Sequence, residues 1–257
     1  MQQRNERQAK LATRKKDEGG FLETLRVIVH ALLIAVVIRT VLFQPFSIPS
    51  GSMKETLLVG DYLFVSKFSY GYSRFSIPFS PPLFEGRLFG STPERGDVAV
   101  FKLPTDNATD YIKRVIGMPG DKIQMVDGVL HINGQPVPKE RIDDWVETEP
   151  SGRQVRVPRF RETLPNGVAY EVLDLVENGF YDNTPLYEVP AGHYFMMGDN
   201  RDNSTDSRVL SAVGYVPYEN FVGRAEIIFF SVEEGQHAWA IWAWPWTVRW
   251  SRIFSLL

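Results

Sequence analysis

The sequence predicts a mainly β protein: an antiparallel β core with a smaller β subdomain inserted into it, preceded by one transmembrane helix. Three observations carry this. Short apolar stretches alternate with Gly, Pro, Asn and Asp clusters, among them the hairpin signatures Asp127-Gly128 and Asn133-Gly134. Aromatic residues make up 13% of the chain and prolines number 17, which suits strands and turns better than a helical bundle. A single apolar run is long enough to approach a membrane span.

At 257 residues, 44% apolar and 23% charged, the chain holds one or two globular domains with a sizeable core. A net charge of −3 with no basic stripe in the body argues against a nucleic-acid partner. With no cysteine there are no disulfides, no thiolate nucleophile and no Cys-ligated zinc. A hydrolytic chain of this composition must use Ser, Thr, a carboxylate or metal-bound water.

Residues 1–20 read as a basic cytoplasmic tail without regular structure, with Arg4, Arg7, Lys10, Arg14, Lys15 and Lys16 against Glu6, Asp17 and Glu18. Residues 21–43 read as a transmembrane signal anchor. Their apolar run, 27–43, is at the lower limit of about 17 residues for a span, and Arg26 and Arg39 sit where they can snorkel to opposite interfaces. A cleaved signal needs a small-x-small site, whereas Phe43-Gln44-Pro45-Phe46 is bulky. A buried or interfacial helix is the alternative. Basic residues ahead of the run predict a cytoplasmic amino end, with everything after Phe43 across the membrane.

The next stretch, Phe46 to Met53, places Pro49 and Gly51 around Ser50 and Ser52, so two hydroxyls are presented on a bent, stiff backbone. Ser52 has two readings here. It is a candidate nucleophile, and Ser52-Met53-Lys54-Glu55 also has the S-x-x-E form of a capping box for a helical turn over Lys54–Leu58.

Strands are expected over Asp61–Phe68, Gly96–Pro104 and Asp110–Asp121, the first two separated by a loop, 72–94, rich in Pro, Phe, Ser and Gly. The loop's apolar residues either pack on the body or face lipid. Alternation along 110–121 puts Lys113 on one face with Tyr111 and Val115. A lysine there guards a strand edge or snorkels outward; if buried, it loses its proton readily.

Residues 122–190 read as the inserted β subdomain, so the core comprises 44–121 and 191–237. The strand His193–Met197 runs into Gly198–Arg208, which carries Asp199, Asp202 and Asp206 with Arg201 and Arg208. A calcium-loop spacing fails from each Asp, so the loop reads as no metal site. A solvated loop knitted by its own ion pairs is one reading of it. Val213–Val216 and Val222–Phe230 close the core. The last stretch, 238–257, holds five of the six tryptophans with Arg249 and Arg252. It reads as an interfacial segment contacting lipid, or as one packed on the core.

The four histidines, His30, His131, His193 and His237, have no metal-ligand spacing and no carboxylate pairing for a Ser-His-Asp set, and no phosphate-binding glycine loop occurs. A serine can instead be activated by a neutral amine, which requires a lysine desolvated by several units.

Five blocks in order resemble bacterial type I signal peptidases, membrane-anchored Ser/Lys endopeptidases that remove signal peptides from exported proteins. They are Pro45–Met53 with Thr56-Leu57, Gly60–Gly71, Arg95–Val98, Tyr111–Asp121 and Gly198–Arg208. The resemblance covers about residues 25–230 and implies the antiparallel core of the signal peptidase and LexA type. By it, Ser52 is the nucleophile and Lys113 the general base, while Ser50 and the Ser52 N–H form the oxyanion hole. Ser204 matches the hydroxyl that orients the lysine, and Asp199, Asn203, Asp206 and Arg208 match the supporting network. Ile48, Pro49, Tyr111 and Ile112 fall where the family lines pockets for small side chains at substrate positions −1 and −3.

The resemblance also implies no cofactor, signal peptides of exported preproteins and the lipid bilayer as partners, and a single-pass protein of the bacterial cytoplasmic (inner) membrane with its body on the periplasmic or outer side. Two rivals share parts of the pattern: a self-cleaving repressor of similar chemistry, and a membrane-tethered binding module. One departure stands out: Lys54-Glu55 replaces the family's x-Pro after Ser-Met.

Overall fold

The computed structural model describes residues 2–148, 153–176 and 178–257, with the backbone alone for residues 2–19 and Thr148. Helix α1 runs over Gln2–Val37 and ends in a π-helical turn, Ile38–Leu42. The basic tail is therefore helical where the sequence reading expects irregular chain, consistent with its content of Ala, Gln, Glu, Lys and Arg, all good helix formers. Within this helix Gly20–Leu42 forms 23 residues long and apolar enough to cross a membrane, with none of its apolar window buried. At 1.5 Å per residue it is about 34 Å long, enough for the roughly 30 Å hydrocarbon core.

The body is built on a seven-stranded sheet in the order β1-β2-β16-β3-β4-β14-β15. Its strands are β1 (Phe43–Ser47), β2 (Asp61–Ser66), β3 (Val98–Lys102) and β4 (Asp110–Gly117), followed after a long excursion by β14 (His193–Met197), β15 (Val216–Pro217) and β16 (Phe221–Ser231). All neighbours pair antiparallel. Alternation sets the burial: along β2, Asp61, Leu63 and Val65 are buried while Tyr62 and Phe64 are half-buried.

The excursion contains β5 (Lys122–Val126), β6 (Val129–Ile132), β7 (Gln135–Pro136), β8 (Lys139–Arg141), β9 (Trp145–Thr148), β10 (Gln154–Val157), β11 (Arg159–Thr163), β12 (Ala169–Leu173) and β13 (Tyr187–Glu188). They make sheets of four, three and two strands. Residues 139–187 are densely charged, yet most of the described ones form hairpins, in which cross-strand pairs such as Arg161 and Glu171 neutralise charge side by side. Residues 149–152 and 177 of the expected insert lie outside the described residues. Leu130, Ile132 and Val172 from this region share one apolar core with Ile116, Phe195 and Met197 of the main sheet.

The segment 72–94 divides. Tyr72 bridges Leu88, Phe75 is buried, and Phe79, Leu83 and Phe89 stand exposed. Arg87 pins the segment by donating to the Gly71, Tyr218 and Glu219 carbonyls. The carboxyl-terminal stretch divides too. Val248 bridges Val232, Leu256 bridges Ile227, and Arg252 reaches Asp61 at 2.7 Å, so one side belongs to the core. Trp244 packs on Phe230, whereas Trp239, Trp242, Trp246 and Trp250 are exposed.

Candidate active site

Ser52 lies in a 3₁₀ turn, Gly51–Met53, entered from β1 and followed by the chain to β2. The turn is held from below by Met53 and Leu57, both wholly buried, each contributing about 1.5–3 kcal/mol by burial. It is held from the side by Asn200, whose Nδ2 donates to the Gly51 carbonyl at 3.0 Å and whose N–H donates to the Ser52 carbonyl at 3.1 Å. The expected helical turn over Lys54–Leu58 thus begins three residues earlier and contains Ser52. The turn's N-cap is Ser50, with no side-chain capping bond, so the capping box is absent.

Glu55 explains why. Its φ is +93°, which turns it away from Ser52, and its Oε1 accepts from Arg159 of β11 at 3.3 Å. Burial and then a hydrogen bond with Glu171 push its carboxyl up to about 7. Lys54 pairs with Glu147 at 2.5 Å. Both residues that depart from the family pattern therefore face the excursion, and Glu55 does not compete for the serine.

Lys113 comes from β4, 61 residues further along, and its Nζ lies 2.7 Å from Ser52 Oγ. The lysine is only 3% exposed, and Nζ also donates to the Ile112 carbonyl at 2.9 Å. Burial pushes its ammonium down to about 8 against the pull of Asp206 and Asp199. At pH 7.5 roughly a quarter is then neutral, compared with about 0.1% of an unshifted lysine. Such an amine can take a hydroxyl proton.

That same burial costs stability. Below pH 8 the lysine is charged in both states and the cost of burying the cation is complete; between 8 and 10.5 the unfolded chain holds more protons, so stability rises with pH. Lys113→Met is accordingly expected to stabilise the fold at pH 7 by about 2 kcal/mol after loss of two hydrogen bonds. Urea unfolding across pH should show the gain disappearing near pH 10.

The loop Gly198–Arg208 reads from sequence as solvated, but Asp199, Asn200, Arg201, Ser204, Asp206 and Arg208 are all buried. Its charges are neutralised by partners distant in sequence as well as near. Arg114 of β4 grips Asp199 through Nε at 2.9 Å and Nη2 at 2.7 Å, with Thr56 donating to the same carboxylate at 2.5 Å. Arg201 forks onto Glu162 of β11 at 2.8 and 2.5 Å. Within the loop Arg208 pairs with Asp206 at 2.8 Å. Asp206 is held below the usual carboxylate range although burial opposes it, through Arg208, the Gly198 N–H and Ser204. Ser204 Oγ donates to Asp206 at 2.8 Å, while Lys113 Nζ donates its second hydrogen bond to the Ile112 carbonyl.

Ser50 Oγ lies 3.5 Å from Ser52 Oγ. Around the pair is a cleft of about 410 Å³ lined by Pro49, Ser50, Tyr111, Ile112, Asn203 and Thr205, among others. Asn203 is thus a wall of the cleft, not a member of the buried charge network. Ile48 lies beneath the lining, 3% exposed, in the core cluster against which Ile112 also packs. β14 pairs with β4 only from Arg114 to Gly117, which leaves Asp110–Lys113 an open edge beside the cleft. Thr56, Arg114, Gly198 and Asn200 lie inside the matched blocks, yet the sequence assigns them no role. The Gly-Asp-Asn run after an apolar strand was the available signal for the last two.

The other notable carboxylate group is Asp174, Asp182 and Asp202, whose oxygens lie within 4.8 Å of one another. Protein donors occupy it: Lys139 on Asp174, the Leu175 and Val176 N–H groups on Asp202, and the Gly179 N–H on Asp182.

The family model described as "Signal peptidase, peptidase S26" matches residues 21–230. The chain belongs to the signal peptidase family. Signal peptidase I of Rickettsia typhi is 45% identical over 210 residues, covering 79% of this chain and 77% of that one. Signal peptidase I of Rickettsia massiliae is 43% identical over 229 residues, 86% of this chain and 81% of that one. A crystal structure of a signal peptidase I from Enterococcus faecalis aligns with a TM-score of 0.31 at 26% identity, covering 52% of this chain and 97% of that one. As a member of the signal peptidase family, the chain is a serine endopeptidase, a hydrolase.

Proposed function

We propose that this chain removes amino-terminal signal peptides from exported preproteins, cutting after small-x-small sites with Ser52 as nucleophile and Lys113 as general base. The observation that carries the reading is the buried Lys113 Nζ at 2.7 Å from Ser52 Oγ, beside an open strand edge. The substrate adds to the Asp110–Lys113 edge as an extended strand. Ser52 Oγ attacks the scissile carbonyl and passes its proton to Lys113, which returns it to the leaving amine as the C–N bond breaks. The resulting ester is cleaved by water, which Lys113 deprotonates in turn. Ser50 Oγ and the Ser52 N–H stabilise the charge on the carbonyl oxygen. Ser204, Asp199, Asp206 and Arg208 position the lysine and its strand, and the shallow wall of Pro49, Tyr111 and Ile112 over Ile48 leaves room for small side chains only.

Gly20–Leu42 anchors the protein in the bacterial cytoplasmic membrane, with the basic end cytoplasmic and the body outside. Residues 44–121 and 191–237 form the catalytic core and 122–190 an insert. The exposed indoles of 238–257 lie at the headgroup level.

The test is cleavage of a preprotein carrying Ala at −3 and −1. Its kcat/KM is expected to rise about tenfold per pH unit below neutrality and level near pH 8, following deprotonation of Lys113. Replacing Ala by Leu at −1 is expected to stop cleavage. A flat profile through this range counts against the lysine base, and cleavage after Leu counts against the pocket.

A further inference from the structure

Two cavities meet where the membrane helix joins the body. One, of about 610 Å³, lies along the last turns of the helix and is walled by carbon from Ala35, Ile38, Phe43, Pro45, Phe64 and Ile227. The other, of about 350 Å³, is polar and cationic, with Lys102, Gln44, Ser80 and Asn107 on its walls. Arg39 lines both. Among the described residues Arg39 makes no ion pair or hydrogen bond.

Behind the polar cavity is Lys67, 1% exposed, whose ammonium donates to the Ser76 carbonyl and is in ion-pair contact with no carboxylate among the described residues. Burial and then Arg39 push it down to about 8, with Asp110 opposing and Lys102 adding to the shift. Asp110, paired with Lys102 at 2.9 Å, is the one carboxylate in a group holding three cations. The rim carries Phe79, fully exposed at φ +66°. A buried cation facing two more is costly unless an anion offsets them.

We infer that the junction is a binding site for one anionic phospholipid, its phosphate between Arg39 and Lys102 and an acyl chain in the carbon-walled cavity beside the helix. This rests on the reading of Gly20–Leu42 as a membrane span, which puts Arg39 at headgroup level. The two chambers match a ligand with a charged head and an apolar tail. A free phosphate ion fills only one of them. The site is separate from the Ser52 cleft, although Asp110 borders both.

The test uses the full chain in neutral detergent with equal amounts of dioleoyl phosphatidylglycerol and dioleoyl phosphatidylcholine, retained lipid being read by native mass spectrometry. The parent is expected to retain phosphatidylglycerol preferentially. Arg39→Gln and Lys102→Gln are each expected to weaken that preference about fivefold, the worth of one interfacial charge. Arg26→Gln, at the other end of the span, is expected to leave it intact. Equal retention of both lipids by the parent, or an unchanged preference in both variants, overturns the site. Displacement of the lipid by an equal concentration of inorganic phosphate overturns it in favour of a bare anion site. Alkaline extraction of membranes reads the anchor separately: a chain that resists extraction yet shows no lipid preference loses the site and keeps the anchor, whereas a chain released by alkali loses both.

Discussion

Ser52→Ala and Lys113→Ala are each expected to lower preprotein cleavage by at least about a thousandfold, with the fold retained by circular dichroism. The reason is geometric. In the proposed mechanism the two side chains, 2.7 Å apart, pass one proton between them, so removing either removes the same transition state. The double variant is therefore expected to be no slower than the singles, since groups acting as a unit are grossly non-additive. Lys113→Arg is expected to be as inactive as the alanine variant, because a guanidinium keeps its proton at any working pH. Single-turnover cleavage measures all four. Activity surviving in the lysine variants would remove the dyad while leaving Ser52 open to another base.

The second large effect is expected from a position with no side chain. A Cβ on Gly198 would stand 2.2 Å from Ser204 Oγ and 2.5 Å from the Ser52 carbonyl oxygen. Serine rotation can relieve the first contact; the second is with the backbone of the turn itself. Gly198→Ala is expected to displace Ser52 from Lys113 and lower kcat about a hundredfold, the scale of a 1 Å misplacement, while costing about 1–3 kcal/mol in stability. Gly51→Ala is the control, since its Cβ would meet only Asn203 Nδ2, at 3.9 Å. Steady-state kinetics and thermal unfolding of both variants decide the matter. Equal activity in the two would show that the turn yields without loss of geometry.

Much of the fold was legible because strands carry a period of two and turns carry Gly, Asn and Asp. Asp110–Gly117 is an example: its alternation put Lys113 and Tyr111 on one face, and Nζ does stand 5.3 Å from the Tyr111 ring. What alternation could not supply was how that face is covered. A lysine among apolar residues reads equally as an edge guard, and only the turn from Ser50 to Met53 packed over it makes it a buried amine. The loop Gly198–Arg208 failed for the same reason. Its charges look solvated until Arg114 and Glu162, from other strands, neutralise Asp199 and Arg201. Ser52 and Glu55 formed a plausible capping box, and the left-handed φ of Glu55, which breaks it, has no local signature for a non-glycine residue.

By itself the sequence determined the apolar amino-terminal helix, most strands of the main sheet, the blocks shared with the family and the bent serine turn, since each depends on residue type and short spacing. Only the tertiary structure decided that Ser52 meets Lys113 across 61 residues, that the amine is desolvated, and that Glu55 turns toward Arg159 instead of the serine. Burial and long-range pairing belong to the packed state: the free energy that moves a lysine to about 8 comes from water excluded by elements its neighbours in sequence do not supply. The same holds for the cationic junction at Arg39, where three cations far apart in the chain, Arg39, Lys67 and Lys102, come together only because the π-helical turn that carries Arg39 leads into β1, which pairs with β2 in the main sheet.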